Sequence, residues 1–363
     1  MKYCSRFGEV LTLLACVVTS HVTAAVGAAQ LTVTLQADKE VYKQDEAVSV
    51  KVSFQSTGPG PLRLPAWQFP QADGNLDDSL FQVQTPDGTS MVYLGRRMKV
   101  NPEMPLTVIP ATRTMTFQVD LDRFYEFPTD GDYLIAYVYN GFSSNTIRVT
   151  VQGRSRESGP IAAGGWYSQG LRCLNSRLCV QGCTRRQRDL IVKARKHALK
   201  YSRVAKQYLA KHHNTSSTTS EGTMIEQDRS RRYSTWFGNY TAERLIQVKT
   251  NFAKLVDTLS SDILTFDCST CLRPWHFAYV VPSQTSSKVV FLCNYFWRTS
   301  MLGVDSKAGT IVHEVSHFLD VAGTGDYAYG HLMAQDLAKA TPEYAVTNAD
   351  SYEYFAENTP FLP

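Results

Sequence analysis

A stretch near the carboxyl end of the chain carries the pattern His-Glu-x-x-His, and it reads Gly309-Thr310-Ile311-Val312-His313-Glu314-Val315-Ser316-His317-Phe318-Leu319-Asp320. Residues four apart lie on the same face of an α-helix, so His313 and His317 can direct two imidazoles at one metal ion. Glu314 is one residue round the helix, within reach of a water at that metal. The apolar residues between them supply the buried face that such a helix needs. The pattern is typical of zinc metallopeptidases and predicts a zinc-binding helix.

The length and composition of the chain are those of a globular protein with room for two domains. It has 363 residues, of which 43% are hydrophobic and 19% charged, and its net charge is only +4. This balance favours neither nucleic acid nor a membrane surface as a partner. Residues 1–29 combine a basic start, a short apolar run and small residues, which predicts a signal peptide and a secreted, extracellular protein; a lipoprotein cleavage box ending at Cys16 is the alternative. No other apolar run is long enough to predict a membrane span.

Residues 30–152 show the alternation of apolar and polar residues that is typical of half-buried strands. Clear examples are 31–35, 48–54, 115–121, 133–139 and 147–151. Gly- and Pro-containing turn signals separate them, for instance Ser56-Thr57-Gly58-Pro59-Gly60. Seven or eight short strands punctuated in this way predict an all-β, immunoglobulin-like sandwich. No constellation of catalytic residues appears in this part of the chain.

The character of the sequence changes at residues 153–172, where Gly, Ser and Pro replace strand formers and predict a linker open to proteolysis. Residues 173–363 then form the second predicted domain, with helical patterns at 185–211 and 241–260 and short strands at 277–281 and 289–293. Its even set of cysteines favours three disulfides in a secreted protein, although Cys268-Ser-Thr-Cys271 leaves a structural zinc site as the alternative. The cysteines are 173, 179, 183, 268, 271 and 293.

A catalytic zinc site needs a third protein ligand and one open position. Asp326 is the nearer candidate, because Gly323 and Gly325 permit a sharp reversal that brings it back over the helix. A glutamate further along the chain is the other candidate, and Glu343, Glu353 and Glu357 are available. The pattern His-Glu-x-x-His-x-x-Gly-x-x-His is excluded, because positions 320 and 323 are Asp and Gly.

These residues carry a resemblance to a known family. His313–His317 followed by Gly323-Thr324-Gly325-Asp326-Tyr327-Ala328-Tyr329-Gly330 resembles the aspzincin, or deuterolysin-type, metalloendopeptidases. Further segments resemble its peptidyl-Lys subgroup, so the likeness covers about residues 180–363. They are Arg232–Gly238, Phe266–Cys268, Phe277–Val280, Phe291–Trp297 and Asn348–Phe355. The first half is also similar, less specifically, to the pro-region of secreted, toxic bacterial members.

The resemblance implies an α+β, mainly helical zincin-type domain and a role for each matching residue. His313, His317 and Asp326 would hold one Zn²⁺ per catalytic domain. Glu314 would be the general base that takes a proton from the attacking water, and zinc would polarise the scissile carbonyl. Tyr329 would donate a hydrogen bond to the oxyanion. A buried structural role for this tyrosine is the alternative.

The subgroup cuts on the amino side of lysine, and the acidic pair that selects the lysine falls on Asp350 and Glu353. Two carboxylates in a partly closed pocket would attract an ammonium. A capping box is the competing interpretation, with Asp350 as N-cap and Glu353 three residues later. Family disulfides would join Cys183 to Cys268 and Cys271 to Cys293. Cys173 and Cys179 are additional, and we expect them to pair with each other.

The first half is then interpreted as a pro-domain that inhibits the peptidase within the same chain. Lys99 lies in a basic cluster that complements the proposed acidic pocket, which suggests the hypothesis that it occupies this pocket from a loop. A solvated loop lysine is the alternative. The overall hypothesis is a secreted zinc endopeptidase, made as a zymogen, that acts on proteins or peptides. The competing class is a secreted binding protein or adhesin with an inactive peptidase-like domain.

Overall fold

The computed structural model describes residues 31–43, 46–111, 113–139, 141–153, 171–212 and 231–363. The predicted signal peptide, residues 1–29, lies outside the described residues. So does most of the predicted linker, residues 154–170.

The first half of the chain folds into strands wherever the two-residue alternation is clear. Its strands are β1 (Leu31–Ala37), β2 (Val41–Lys43), β3 (Ser49–Ser56), β4 (Leu62–Pro65), β5 (Phe81–Gln84), β6 (Arg97–Val100), β7 (Leu106–Ile109), β8 (Thr114–Asp120), β9 (Gly131–Tyr139), β10 (Phe142–Ser143) and β11 (Ile147–Gln152). One sheet has the order β1-β3-β8 and another β10-β9-β11-β2, with β5 also paired to β9. Their apolar faces share one core, in which the rings of Phe54 and Tyr137 meet edge to face at 5.1 Å. Two packed sheets agree with the predicted all-β half, and the immunoglobulin-like connectivity stays a prediction.

Strand β6 leaves this half and joins the sheet of the second half. That sheet has the order β12-β13-β14-β16-β15-β6. Its other members are β12 (Arg172–Asn175), β13 (Leu178–Gln181), β14 (Leu264–Asp267), β15 (His276–Val280) and β16 (Val289–Leu292). β6 runs antiparallel to β15 and places Lys99 opposite Ala278 and Met98 opposite Tyr279. The first half therefore supplies an edge strand to the second.

Seven α-helices are found in the part of the chain that the structure describes. They are α1 (Arg185–His212), α2 (Arg231–Phe237), α3 (Ala242–Ser261), α4 (Lys307–Ser316), α5 (Gly330–Ala340), α6 (Pro342–Ala345) and α7 (Ala349–Glu357). The predicted helices at 185–211 and 241–260 correspond to α1 and α3, whose apolar stripes are buried. Short elements such as α2 and α5 had no clear periodicity and were not predicted.

The molecule as a whole combines β-sheet and helix, so the expectation of a mainly helical peptidase half needs correcting. A β-sheet of six strands forms one layer of that half, and its helices pack against this sheet. The reason is that β12, β13 and β14 are only four residues each, too short to show a periodicity in the sequence.

Three disulfides hold the second half together, and they join the pairs that the sequence and the resemblance implied. The bonds are Cys173–Cys179, Cys183–Cys268 and Cys271–Cys293. Both cysteines of the Cys-x-x-Cys segment therefore form disulfides, and the alternative of a structural zinc site there is wrong.

Candidate active site

Helix α4 carries the His-Glu-x-x-His pattern through the centre of the second half. Ser306 is its N-cap, because its hydroxyl accepts a hydrogen bond from the Gly309 amide at 2.9 Å. The helix ends at Ser316, but His317 keeps right-handed helical angles, so the four-residue spacing still places both imidazoles on one side. All residues of α4 are buried. The predicted helix is therefore present.

A turn after α4 brings Asp326 back to the two histidines. Gly323 adopts φ +58°, which a side chain would disfavour. Asn348 then holds the turn, because its Oδ1 accepts hydrogen bonds from the amides of Tyr327 and Ala328 at 2.9 and 3.0 Å. The glycine was recognisable in the sequence. The support from Asn348 was not, because it comes from another element.

Three side chains where this turn meets α4 have the spacing of ligands around one metal ion. Asp326 Oδ1 lies 3.2 Å from His313 Nε2, and Asp326 Oδ2 lies 3.3 Å from His317 Nε2. Two ligands at about 2.05 Å from a tetrahedral zinc ion are separated by about 3.3 Å. These nitrogen and oxygen atoms are buried and have no hydrogen-bond partner among the described residues. The donor set therefore fits a zinc ion.

His317 is held in the tautomer that a metal ligand needs. Its Nδ1 lies 2.9 Å from the carbonyl oxygen of Thr324. Because a carbonyl oxygen only accepts, Nδ1 carries the proton and Nε2 keeps its lone pair toward Asp326. Burial lowers the pKa of His317 to about 3, which keeps the ring neutral.

His313 faces two groups of carboxylates. Its Nε2 points to Asp326, whereas its Nδ1 lies 2.7 Å from Asp350 Oδ1 and 3.4 Å from Glu353 Oε2. Outer carboxylates on the second nitrogen commonly orient metal-binding histidines. The proposed lysine-selecting pair thus also contacts a candidate metal ligand.

The capping-box interpretation of Asp350 and Glu353 is wrong. The N-cap of α7 is Asn348, which makes no side-chain capping hydrogen bond. Asp350 instead accepts a hydrogen bond from the amide of Gly330, at the first turn of α5, at 2.6 Å. Its carboxylate therefore serves a neighbouring helix.

The later glutamates do not complete the metal site of the two histidines. Glu353 belongs to a separate group with His313 and Asp350. Glu357 accepts hydrogen bonds from Ser306, and Glu343 pairs with Arg244 near the surface. Within the described ranges, the group that contains both histidines has Asp326 as its carboxylate.

Glu314 and Tyr329 both contact the backbone of strand β6. The Tyr329 hydroxyl donates a hydrogen bond to the Met98 carbonyl oxygen at 2.8 Å, and the Lys99 amide donates to Glu314 Oε1 at 3.4 Å. Burial raises the pKa of Glu314 to about 8. The Met98–Lys99 peptide bond thus lies between the two residues for which the resemblance implies catalytic roles.

The Lys99 side chain enters a pocket behind this peptide bond. Its ammonium lies 2.7 Å from Glu353, 2.9 Å from Asp305 and 3.1 Å from Asp350. The rings of Phe277 and Tyr354 form walls at 5.0 and 5.4 Å. Only 1% of the side chain is exposed, so the alternative of a solvated lysine is wrong. Burial alone would lower the pKa of Lys99, but the carboxylates raise it well above its ordinary value.

Two details of this pocket differ from the sequence analysis. Lys99 lies in a strand rather than on a loop, because β6 pairs with an edge that its own four residues do not reveal. Asp305 was not recognised as a pocket residue. In the sequence, the one indication of its role is its position just before Ser306, the N-cap of α4. In the structure, Glu357 holds Asp305 by accepting a hydrogen bond from its amide at 3.2 Å.

Comparisons with known proteins identify relatives of this chain. A family model described as aspzincin, lysine-specific metallo-endopeptidase, matches residues 222–357. An extracellular protease of Aeromonas hydrophila is 34% identical, with 96% of each chain covered. A peptidyl-Lys metalloendopeptidase of Armillaria mellea is 31% identical over 87% of this chain and 88% of its own.

A solved zinc peptidase of Grifola frondosa is 37% identical and matches half of this chain and all of its own, with a TM-score of 0.42. None of the helices in the described ranges is long and apolar enough to cross a lipid bilayer. Because relatives match nearly its whole length at more than 30% identity, the chain belongs to the aspzincin family and is a zinc metalloendopeptidase.

Proposed function

We propose that this protein is a secreted zinc endopeptidase, made as a latent precursor, that cuts peptide bonds on the amino side of lysine. The observation that carries the proposal is Lys99. It fills an acidic pocket, and the peptide bond that precedes it lies between Glu314 and Tyr329. The chain thus provides its own example of a lysine in the site.

The candidate metal ligands are His313, His317 and Asp326, whose free donor atoms have the spacing described above. Zinc held there would polarise the scissile carbonyl and lower the pKa of a water beside it. The site is buried on all sides in the precursor, so these donors are shielded from solvent.

The roles of the protein groups follow from their positions on the Met98–Lys99 bond. Glu314 accepts a proton from the attacking water as the oxygen bonds to the carbonyl carbon, and it passes this proton to the leaving nitrogen as the C–N bond breaks. Tyr329 donates its hydrogen bond to the carbonyl oxygen, where negative charge develops. In this orientation the lysine lies on the carboxyl side of the cut bond, the P1′ position.

The preference for lysine is supported by charge and shape together. An ammonium in the pocket meets carboxylates at hydrogen-bond distance, and the rings of Phe277 and Tyr354 lie 5.0 and 5.4 Å from it. A buried carboxylate pair without a cation would be costly, so an uncharged side chain is a poor replacement.

Latency is supported by how the first half covers the site. Besides Lys99, it contributes Trp67, whose ring packs edge to face on Tyr329 at 5.6 Å, and Tyr139, whose hydroxyl donates to the Asp326 carbonyl at 3.3 Å. Asp77 forms an ion pair with Arg273 of the second half. A substrate cannot enter while these contacts persist, so the first half acts as an intramolecular inhibitor.

Secretion is supported by the leader-like pattern of residues 1–29 and by the three disulfides. Against the alternative of an inactive peptidase-like binding protein, the similar proteins are peptidases and His313, His317 and Asp326 are all in place. The alternative of a glutamate third ligand has no support in the spacing around His313 and His317.

The test is a map of every new terminus that the enzyme creates. The full-length chain is expressed and allowed to mature, and the product is incubated with a denatured protein, with and without a zinc chelator. Glu314→Gln is the inactive variant, and Glu343→Gln, on an exposed glutamate, is its matched control. Mass spectrometry then identifies the amino terminus of each product.

We expect chelator-sensitive cuts with lysine at nearly every new amino terminus, from the wild type and Glu343→Gln only. Chelator-sensitive cuts without a lysine bias would overturn the proposed specificity and leave the peptidase. Cuts that persist in Glu314→Gln would overturn the proposed general base.

A further inference from the structure

The lysine pocket contains a third carboxylate beyond the pair that its sequence pattern indicates. Asp305 Oδ1 lies 2.9 Å from the Lys99 ammonium, between the distances of 2.7 Å to Glu353 and 3.1 Å to Asp350. An ammonium has three N–H donors and no acceptor. One carboxylate is therefore available for each donor, and Asp305 completes the set.

Asp305 is held in this position by its own contacts. Its backbone has φ +50°, a left-handed conformation that aspartate tolerates better than most residues. The Tyr354 hydroxyl donates a hydrogen bond to Asp305 Oδ1 at 2.8 Å, and the Asp305 amide donates to Glu357 at 3.2 Å. These contacts fix the Asp305 carboxylate in the orientation that faces the ammonium.

The three carboxylates differ in what else they contact. Asp350 and Glu353 both lie against Nδ1 of His313, at 2.7 and 3.4 Å. Asp305, by contrast, has no ion pair with either metal-site histidine among the described residues, and 29% of its side chain is exposed. Replacing Asp350 or Glu353 would remove a contact to His313 as well as a contact to the lysine. Replacing Asp305 with asparagine would remove only the ion pair with the lysine.

We infer that Asp305 is a specificity-determining residue of the lysine pocket, acting on the charge of the P1′ side chain independently of the metal site. This inference rests on the proposed lysine specificity. Its physical basis is that each additional fixed carboxylate attracts a cation and makes the pocket less favourable for a neutral or acidic side chain. Because Asp305 lies at the partly exposed side, solvent moderates its effect.

The test compares two peptides that differ only at P1′, with lysine or with norleucine, which has the same aliphatic chain without the ammonium. kcat/KM is measured for enzyme matured from the full-length chain, as wild type, Asp305→Asn and Asp336→Asn. Asparagine keeps the size, the acceptor for Tyr354 and the tolerance of a positive φ. Asp336 is an exposed aspartate on α5, so its variant controls for the change in net charge.

We expect the lysine-to-norleucine ratio of kcat/KM to fall about tenfold in Asp305→Asn, mainly through KM for the lysine peptide. Bound zinc stays at the wild-type level, and Asp336→Asn keeps the wild-type ratio. A wild type with a strong lysine preference that Asp305→Asn fully retains would overturn the inference and leave the proposed function intact. A wild type without a lysine preference would overturn both.

A second measurement needs neither maturation nor activity. Four full-length precursors, all carrying Glu314→Gln to prevent self-digestion, form a cycle of Lys99→Met and Asp305→Asn, and their melting temperatures are compared. Asp305→Asn should lower the melting temperature when residue 99 is lysine and not when it is methionine. Equal effects in both backgrounds would show that Asp305 does not act on the ammonium, and the inference would be wrong.

Discussion

His313 connects the candidate metal site with the pocket that holds Lys99. One ring nitrogen faces Asp326 and the other faces Asp350, which in turn contacts the Lys99 ammonium. Although burial raises the pKa of Asp350, the ammonium and His313 hold it below its usual range. The residue proposed to select lysine therefore also contacts a candidate zinc ligand. Substitutions of Asp350 would change specificity and metal affinity together.

Asp326 is expected to be indispensable for metal binding. Asp326→Asn keeps the shape of the side chain and removes the charge between the two histidines, so we expect zinc affinity to fall more than about a hundredfold. The bound metal of the purified protein is measured by elemental mass spectrometry. Glu357→Gln is the comparison, because Glu357 contacts Ser306 and not the histidines. Zinc retained in Asp326→Asn but lost in Glu357→Gln would contradict the ligand assignment.

Strand β6 shows how a short element can be substrate-like. Its antiparallel pairing with β15 fixes the direction of the chain. In this direction the Met98 carbonyl oxygen meets Tyr329 and the Lys99 amide meets Glu314. The four residues of β6 carry no strand signal of their own. Their conformation is set by the edge of a sheet that is built almost entirely by the second half.

Lys99→Ala should weaken the inhibition exerted by the first half. The truncation leaves Asp350 and Glu353 buried without their cation, which is a strongly unfavourable arrangement. We expect the precursor to show measurable peptidase activity, and the isolated first half to inhibit the mature enzyme at least tenfold less well. A fluorogenic lysine peptide reports both quantities.

Lys51→Ala is the matched control for this experiment, because Lys51 is an exposed lysine on β3 of the same half. It should leave latency unchanged. If the Lys99→Ala precursor stayed fully latent and its isolated first half inhibited as well as the wild type, the inhibitory role of Lys99 would be wrong.

The two halves of the molecule share part of one hydrophobic core. The core of the first half includes residues of β15, β16 and the turn after α4, namely Tyr279, Val289, Phe291 and Tyr329. Tyr279 and Phe291 stack at 4.3 Å beneath this contact. Removing the first half would expose this apolar surface together with the catalytic residues. The proposed latency would therefore involve packing across a whole face and would not be limited to one lysine.

Metal removal should destabilise the folded protein as a whole. A ligand at a thousand times its Kd stabilises the native state by about 4 kcal/mol, and for a chain of this size that corresponds to roughly 5 °C in melting temperature. Calorimetry of the full-length Glu314→Gln protein, with and without a chelator, measures the shift. Asp326→Asn should respond little to the chelator. An unchanged melting temperature after verified loss of zinc would contradict a metal site in this buried position.

The sequence by itself determined what depends on neighbours along the chain. The four-residue spacing of His313 and His317, the Ser306 cap and the alternating strands of the first half are local patterns, so they were predictable. The glycine turn also made Asp326 a candidate third metal ligand, but three glutamates remained as alternatives. The family resemblance narrowed the choice of third ligand to Asp326. It also implied roles, such as that of Tyr329, that the spacing of residues alone does not indicate.

Tertiary structure decided everything that joins distant segments. Lys99 meets Asp350 across 251 positions of sequence, and β6 finds its partner in the sheet of the other half. Asp305 enters the pocket because Glu357 and Tyr354 hold it there. Local patterns constrain φ, ψ and the buried face of an element, whereas the pairing of edges and the convergence of charges depend on the packing of the whole chain.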